Sequence, residues 1–189
     1  MEFERIKGLA KTIQKNFRNF YLAGGTALVM KYKQGISEDL DFFSNKAFSF
    51  LRLSAKLRKI LKVEREERFE DNIDFLIEGI KVSFIFSPFE NIKPLESLEG
   101  IKVASDYDIF LNKIYSARRR IESKDVVDFA FLYQLYRWDK YSVKKDFEKK
   151  FPDQSFEIYL GAILSTEDYH DLDKKTLEIL KEVEREWIK

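Results

Sequence analysis

Two glycines and two aspartates carry most of the chemical content of this sequence. Gly24-Gly25-Thr26 follows the short apolar run Phe20 to Leu22, and Ser37-Glu-Asp-Leu-Asp-Phe-Phe43 comes soon after. Without Cβ atoms, a glycine pair lets the backbone turn sharply and approach a ligand closely. A helix leaving that turn at Thr26 presents its first N–H groups, with the Thr26 hydroxyl, as a seat for phosphate. Asp39 and Asp41 stand two apart, so on an extended segment their carboxylates leave the same face. Carboxylates so placed repel unless a cation compensates, and a divalent ion with oxygen ligands suits them. Phosphoryl and nucleotidyl transfer need such an ion to polarise phosphate and lower the pKa of an attacking hydroxyl. Taken singly, the glycines read as an ordinary turn and the aspartates as a solvated strand end. Their succession, strand, glycine pair, helix and then Ser-x-Asp-x-Asp on the next strand, points to a nucleotide site.

The surrounding pattern supplies elements to hold them. Ile6, Leu9, Ala10, Ile13 and Phe17 recur at helical spacing and predict an amphipathic helix over 3–19. A strand at 20–22, a helix from Thr26 to about Lys33, a strand at 40–43 and a helix from Phe48 to about Leu61 follow. Ile73 to Ile77 and Ile80 to Phe86 read as a hairpin closed by Glu78-Gly79. The charged run Glu64 to Arg68 suits an exposed or edge strand, and Pro88 and Pro94 bracket a connector. Beyond residue 104 the pattern is almost wholly helical. Ser105-Asp-Tyr-Asp108 fits a helix start, Ser123 fits the cap of a helix from Lys124, and further helices are expected at 142–150, 155–163 and 171–188. The expected fold is α/β (α+β): a mixed sheet with flanking helices over 1–100, followed by a helical bundle over 101–189.

Composition narrows the function classes. Eighteen Phe and nine Tyr among 189 residues provide for a real core, so disorder does not describe the chain. The net charge of +1 gives no global argument for nucleic-acid binding. With no Cys and one His, at 170, thiolate chemistry is excluded and a zinc site is disfavoured. The start lacks the features of a signal peptide and no apolar run approaches membrane length, so a cytoplasmic location, with no membrane partner, is the expectation.

Gly24-Gly25-Thr26 with Ser37, Asp39 and Asp41 resembles the AbiEii/AbiGii toxin family of the DNA polymerase β-like nucleotidyltransferase superfamily. The resemblance covers roughly residues 20–135. It implies that the glycine pair and following helix hold an incoming nucleoside triphosphate, and that the paired aspartates hold magnesium. Many relatives place His-Arg just ahead of the serine motif, where this chain has Gln34-Gly35. That departure removes one phosphate or acceptor contact.

The superfamily usually supplies a third aspartate from a neighbouring strand, and the matching position here is Ser83. A serine hydroxyl cannot act as an anionic base at neutral pH. With Glu78-Gly79 as the turn, Asp74 pairs with Ser83, and directly opposed residues share a face. Asp74 then reads either as a substitute that reaches the metal centre from beside Ser83, provided the register does not slip, or as a surface Asp at a strand start.

Two further patches match the same family: Asp108-(x4)-Lys113, and Arg120-(x3)-Lys124-Asp125-(x2)-Asp128. Lys113 lies three and four residues beyond Phe110 and Ile109, so its stem is expected on apolar surface with its ammonium toward a phosphate in an interdomain cleft. Asp125 lies in a first helical turn, where the dipole favours an anion, and Asp128 shares its face. Each is suited to anchoring a lysine or arginine. The resemblance implies functional importance for Lys113, Lys124 and Asp125, and a structural role for Asp128. Arg118-Arg119-Arg120 offers a local positive field for an RNA backbone or, equally, a solvated helix end. Trp138 and Trp187 read as packing residues, and His170 as a helix-start residue.

The expected activity is Mg²⁺-dependent transfer of a nucleotide from an NTP to a hydroxyl of RNA, the 3′ end of tRNA in particular, or of a protein. Such toxins are paired with a cognate antitoxin protein. The rival readings are a catalytically impaired nucleotide- or RNA-binding module of the same fold, with Ser83 marking the loss, and a purely structural interaction protein.

Overall fold

The computed structural model describes residues 2–33 and 39–188. The chain falls into two compact units, Met1–Glu90 with Pro94–Ser105, and Asn91–Lys93 with Asp106–Lys189. No helix among the described residues is long and apolar enough to cross a membrane.

The first unit contains α1 (Glu2–Asn16), β1 (Tyr21–Ala23), α2 (Gly24–Tyr32), β2 (Leu40–Ser44), α3 (Phe50–Leu57), β3 (Val63–Arg68), β4 (Asn72–Ile77), β5 (Ile80–Phe86), β6 (Glu96–Leu98) and β7 (Ile101–Val103). The strands form one mixed sheet in the order β3-β4-β5-β2-β1-β7-β6. β2 runs parallel to β5 and β1 parallel to β7, while the other neighbours are antiparallel. The sequence pattern ends this unit at residue 100. Ile101–Val103 instead pairs with β1 and β6, so the sheet runs to Val103 and the first unit to Ser105.

Alternation along the central strands separates two faces. β2 fully buries Leu40 and Phe42 and leaves Asp41 and Phe43 half-buried on the other side. The buried face centres on Phe84, whose ring meets Phe17 at 5.2 Å, Phe20 at 5.0 Å, Phe42 at 5.7 Å and Phe75 at 6.0 Å. Truncating so enclosed a ring to Ala costs about 3–5 kcal/mol. The face bearing Asp41 is therefore built on a rigid aromatic layer.

Two hairpins use the same turn. Glu78-Gly79 joins β4 to β5 with φ of 53° and 75°, and Glu99-Gly100 joins β6 to β7 with φ of 49° and 86°. Two successive left-handed residues match the right-handed twist of the flanking strands, and a Gly at the second position lowers the cost. The first hairpin has the expected register, Ile77 opposite Ile80 through Asp74 opposite Ser83. β3 is an edge strand rich in charge, as such an edge requires to resist further pairing.

The second unit contains α4 (Asp106–Ser116), α5 (Ser123–Tyr136), α6 (Lys140–Lys150), α7 (Phe156–Leu164), a 3₁₀ turn (Thr166–Asp168) and α8 (Lys174–Trp187). Phe110 stacks on Phe129 at 4.8 Å, with Trp138 and Trp187 at 4.9 and 6.3 Å, so both tryptophans pack in this core. Ser123 does not cap α5. It is the first helical residue, Glu122 occupies the cap, and the Ser123 hydroxyl donates to the His170 carbonyl at 2.5 Å. Asp108, fully buried, accepts from the backbone N–H groups of Ile92 (2.8 Å) and Lys93 (2.9 Å) and from Lys150 Nζ (2.7 Å). Its carboxylate thus ties the connector to the bundle.

Candidate active site

The sheet register assembles a single row of side chains. Ala23 pairs with Asp41, Asp41 with Ser83, Ser83 with Asp74, and Asp74 with Glu67. Directly opposed residues point to one face, so Asp41, Ser83 and Asp74 look out from the side opposite the Phe84 layer. Ser83 is buried between the two aspartates.

The chain leaves β1 at Ala23 in extended conformation and turns at Gly24, whose φ is +77°. α2 opens on the glycine pair itself, two residues earlier than the Thr26 start that the sequence pattern gives. A Cβ built on Gly24 would stand 3.3 Å from Asp41 Oδ2. The carboxylate is thus aimed at the glycine turn, across a gap that any larger residue would fill. Thr26, almost wholly buried, donates its hydroxyl to the backbone carbonyl of Asp39. It pins the entry to β2, and its proton is directed to that carbonyl rather than to a phosphate. Asp39, just ahead of β2, is exposed. Ser37, expected at the nucleotide, lies outside the described residues, as do Gln34 and Gly35.

Asp74 occupies the expected rung but does not extend to the Asp39–Asp41 pair. Two strand spacings separate it from β2, roughly 10 Å. Its oxygens are engaged locally: Lys81 Nζ lies 2.9 Å from Oδ2, and Asn72 Nδ2 donates to Oδ1 at 2.7 Å. Among the described residues no three acidic or imidazole side chains converge closely enough to hold a metal ion. Asp41, whose Oδ2 stands 3.3 Å from the position of a Gly24 Cβ, and the exposed Asp39 two residues before it nevertheless supply hard oxygen donors, the donor chemistry that Mg²⁺ requires.

Sequence reasoning overlooked Lys81. It lies two residues before Ser83 on β5 and so on the same face, a parity that the hairpin alone could have revealed. Hydrogen bonding to Asp74 holds its ammonium above the ordinary lysine range; burial opposes this, and the charges of Asp74, Asp39 and Asp41 add to it.

In the second unit, Lys113 is buried rather than turned to solvent or ligand. Its Nζ lies 2.7 Å from both Asp125 Oδ1 and Asp128 Oδ2. Arg120 forks onto Asp125, Nε to Oδ2 at 2.9 Å and Nη2 to Oδ1 at 3.2 Å. Burial works against the Lys113 charge, but Asp128 and Asp125 outweigh it and raise its pKa. Burial likewise opposes the Asp125 charge, and Lys113 and Arg120 outweigh it, lowering that pKa. Lys124 is exposed on the first turn of α5. Arg118 lies over the Tyr159 ring at 5.8 Å and Arg119 over Tyr115 at 5.2 Å, so these guanidinium groups pack on aromatic surface. His170 is exposed.

Comparison with known proteins fits this geometry. The protein aq_aa25 of Aquifex aeolicus (strain VF5) is 32% identical over 190 residues, spanning 97% of this chain and 89% of that protein. The crystal structure of JHP933 from Helicobacter pylori is similar at a TM-score of 0.59 and 20% identity, over 97% of this chain and 91% of that one. ANT(2")-Ia in complex with adenylyl-2"-tobramycin is similar at 0.53 and 13%, over 78% and 99%. These two likenesses are of fold. Residues 9–187 match the family described as nucleotidyl transferase AbiEii toxin, type IV TA system. The match runs through the mixed sheet, the glycine turn and the facing aspartate, and the chain belongs to the AbiEii nucleotidyl transferase toxin family.

Proposed function

We propose that this protein is a Mg²⁺-dependent nucleotidyltransferase that moves a nucleoside monophosphate from an NTP to a hydroxyl of RNA, with the 3′ end of tRNA the first acceptor to test and a protein hydroxyl the second. The observation that carries the reading is the Asp41 carboxylate aimed at the Gly24 turn, 3.3 Å from the position of an ideal Cβ. In this reading the triphosphate settles against the first N–H groups of α2, where the helix dipole favours an anion. Asp39 and Asp41 hold the cation, which when bound neutralises phosphate charge and lowers the pKa of the attacking hydroxyl. Thr26 keeps Asp39 in place through its carbonyl. The acceptor oxygen bonds to the α-phosphorus, the bond from that phosphorus to the bridging oxygen breaks, and pyrophosphate leaves. With Ser83 at the third position and Asp74 engaged by Lys81 and Asn72, the acceptor proton passes to solvent. Acceleration then comes from positioning and charge.

Lys113 and Asp125 enter this proposal as the ion group that shapes the helical unit, with Lys124 as its exposed cation. The family description names a toxin of a type IV toxin–antitoxin system, and on that ground a cognate antitoxin protein is proposed as partner.

The test is incubation of the purified protein with each labelled NTP, Mg²⁺ and total tRNA, with intact-mass analysis to catch self-modification. Labelling that disappears in the Asp39→Ala/Asp41→Ala variant supports the proposal, and undiminished labelling in that variant refutes it. One observation favours a second reading, a binding module of the same fold: a serine replaces the third carboxylate. Mg²⁺-dependent NTP binding without transfer to any acceptor would establish it.

A further inference from the structure

The carboxylate face contains its own cation. Lys81 Nζ sits 2.9 Å from Asp74, on the rung-sharing face with Asp41, and its charge interacts with Asp39 and Asp41 as well. Its side chain is half exposed, whereas that of Asp74 is 12% exposed. An ordinary surface ion pair joins two mobile, solvated groups and contributes little. Here one partner is fixed in the central sheet by strand pairing and by Asn72. The lysine is therefore tethered to Asp74 on the face that carries Asp41, two residues before the Ser83 that pairs with both aspartates, whether or not another cation is present.

We propose that Lys81 is a resident counter-ion that competes with the divalent cation for the Asp39–Asp41 face. This rests on the reading of that face as the cation site. Without a divalent ion, the ammonium offsets carboxylate repulsion and keeps the face stable. When a divalent ion arrives at Asp39 and Asp41, the ammonium held at Asp74 opposes it, because like charges on one face repel. Lys81 thereby sets the threshold at which the site loads. A nucleotide's phosphates bring negative charge, relieve that opposition, and favour loading of cation and nucleotide together over cation alone.

The experiment is Mn²⁺ titration followed by the electron paramagnetic resonance of the free ion, on wild type, Lys81→Met and Lys81→Arg, with melting temperatures measured with and without Mn²⁺. Lys81→Met is expected to bind Mn²⁺ roughly fivefold more tightly, the screened effect of removing one nearby positive charge. It should also melt lower than wild type without Mn²⁺ and gain more on its addition. Lys81→Arg, which keeps the charge, should stay close to wild type. Saturable binding by wild type with Lys81→Met unchanged or weaker overturns the role of Lys81 alone. Absence of saturable binding in wild type and Lys81→Met alike overturns the cation site itself, and the role of Lys81 with it.

Discussion

Asp41 and Gly24 face each other across the start of α2, the Asp41 Oδ2 atom standing 3.3 Å from where a Gly24 Cβ would be. The contact joins the two halves of the motif: the glycine is needed both for its backbone and for the space beside it. Gly24 has φ of +77°, which an L side chain adopts at a cost of about 1–2 kcal/mol. An alanine there would also press on the carboxylate.

Gly24→Ala is therefore expected to lose about 1–2 kcal/mol of stability in urea unfolding and to lose NTP binding out of proportion to that. Gly25→Ala, at a position without a left-handed φ, should lose less stability. Equal losses of stability and nucleotide affinity at the two positions would show that the contact with Asp41 has no special weight.

Thr26 gives a second prediction. Its hydroxyl donates to the Asp39 carbonyl from a buried position. Thr26→Val keeps the shape and removes the donor, at a cost of about 1 kcal/mol. The carbonyl is at the end of an exposed residue and water can replace the lost donor, so the fold should survive. Cation affinity should fall, because the backbone that carries Asp39 is no longer held. Mn²⁺ affinity equal to wild type would mean that Asp39 is positioned by something else.

The contrast between the two hairpins shows what the sequence made legible. Strands β4 and β5 are long, alternating and apolar, so the Glu78-Gly79 turn between them announced both the hairpin and the Asp74–Ser83 pairing. Glu99-Gly100 makes the same left-handed turn, but its strands have three residues each, and β6 is polar. Nothing periodic distinguished them from a connector. Lys81 was legible in principle, since it shares parity with Ser83, but its partner became clear only with the rotamer in view. The Asp108–Lys150 pair spans 42 residues between separate helices, and no local pattern predicts such a contact. The Lys113 stem was expected on apolar surface. Its ammonium went inward because Asp125 and Asp128, one helical turn apart, present two oxygens where the sequence reading supposed a phosphate.

Ser83 provides a third prediction, since it stands between Asp41 and Asp74 on one rung. Ser83→Asp would place a carboxylate within about 5 Å, Cβ to Cβ, of both. In a buried position with like charges on either side, that change should lower stability by about 1–3 kcal/mol without metal. Mn²⁺ should restore more stability to this variant than it adds to wild type, through tighter binding to the native state. A melting temperature insensitive to Mn²⁺ in both proteins would argue against a cation on this face.

The buried group of Lys113, Asp125, Asp128 and Arg120 gives a prediction in which the sign of the pH dependence matters. Asp125 is held below its ordinary value of 3.8: burial resists this, and Lys113 and Arg120 prevail. Its contribution to stability is present above pH 3.8 and is lost as pH falls through the lower, folded value. Lys113 is held above its ordinary 10.5, so its contribution is present below that pH and is lost as pH rises through the higher, folded value. Together they give a plateau of stability across the neutral range, bounded on both sides. Lys113→Met leaves Asp125 paired with the half-exposed Arg120 and should cost about 3–5 kcal/mol at pH 7. Adding Asp125→Asn to that variant removes the stranded charge and should recover part of the loss, because a neutral amide tolerates burial better than an anion. Unfolding free energies measured from pH 3 to 11 test both points. If the double variant were no more stable than Lys113→Met, the cost would lie in packing around the lysine stem, and the ion group would not be what holds α4 to α5.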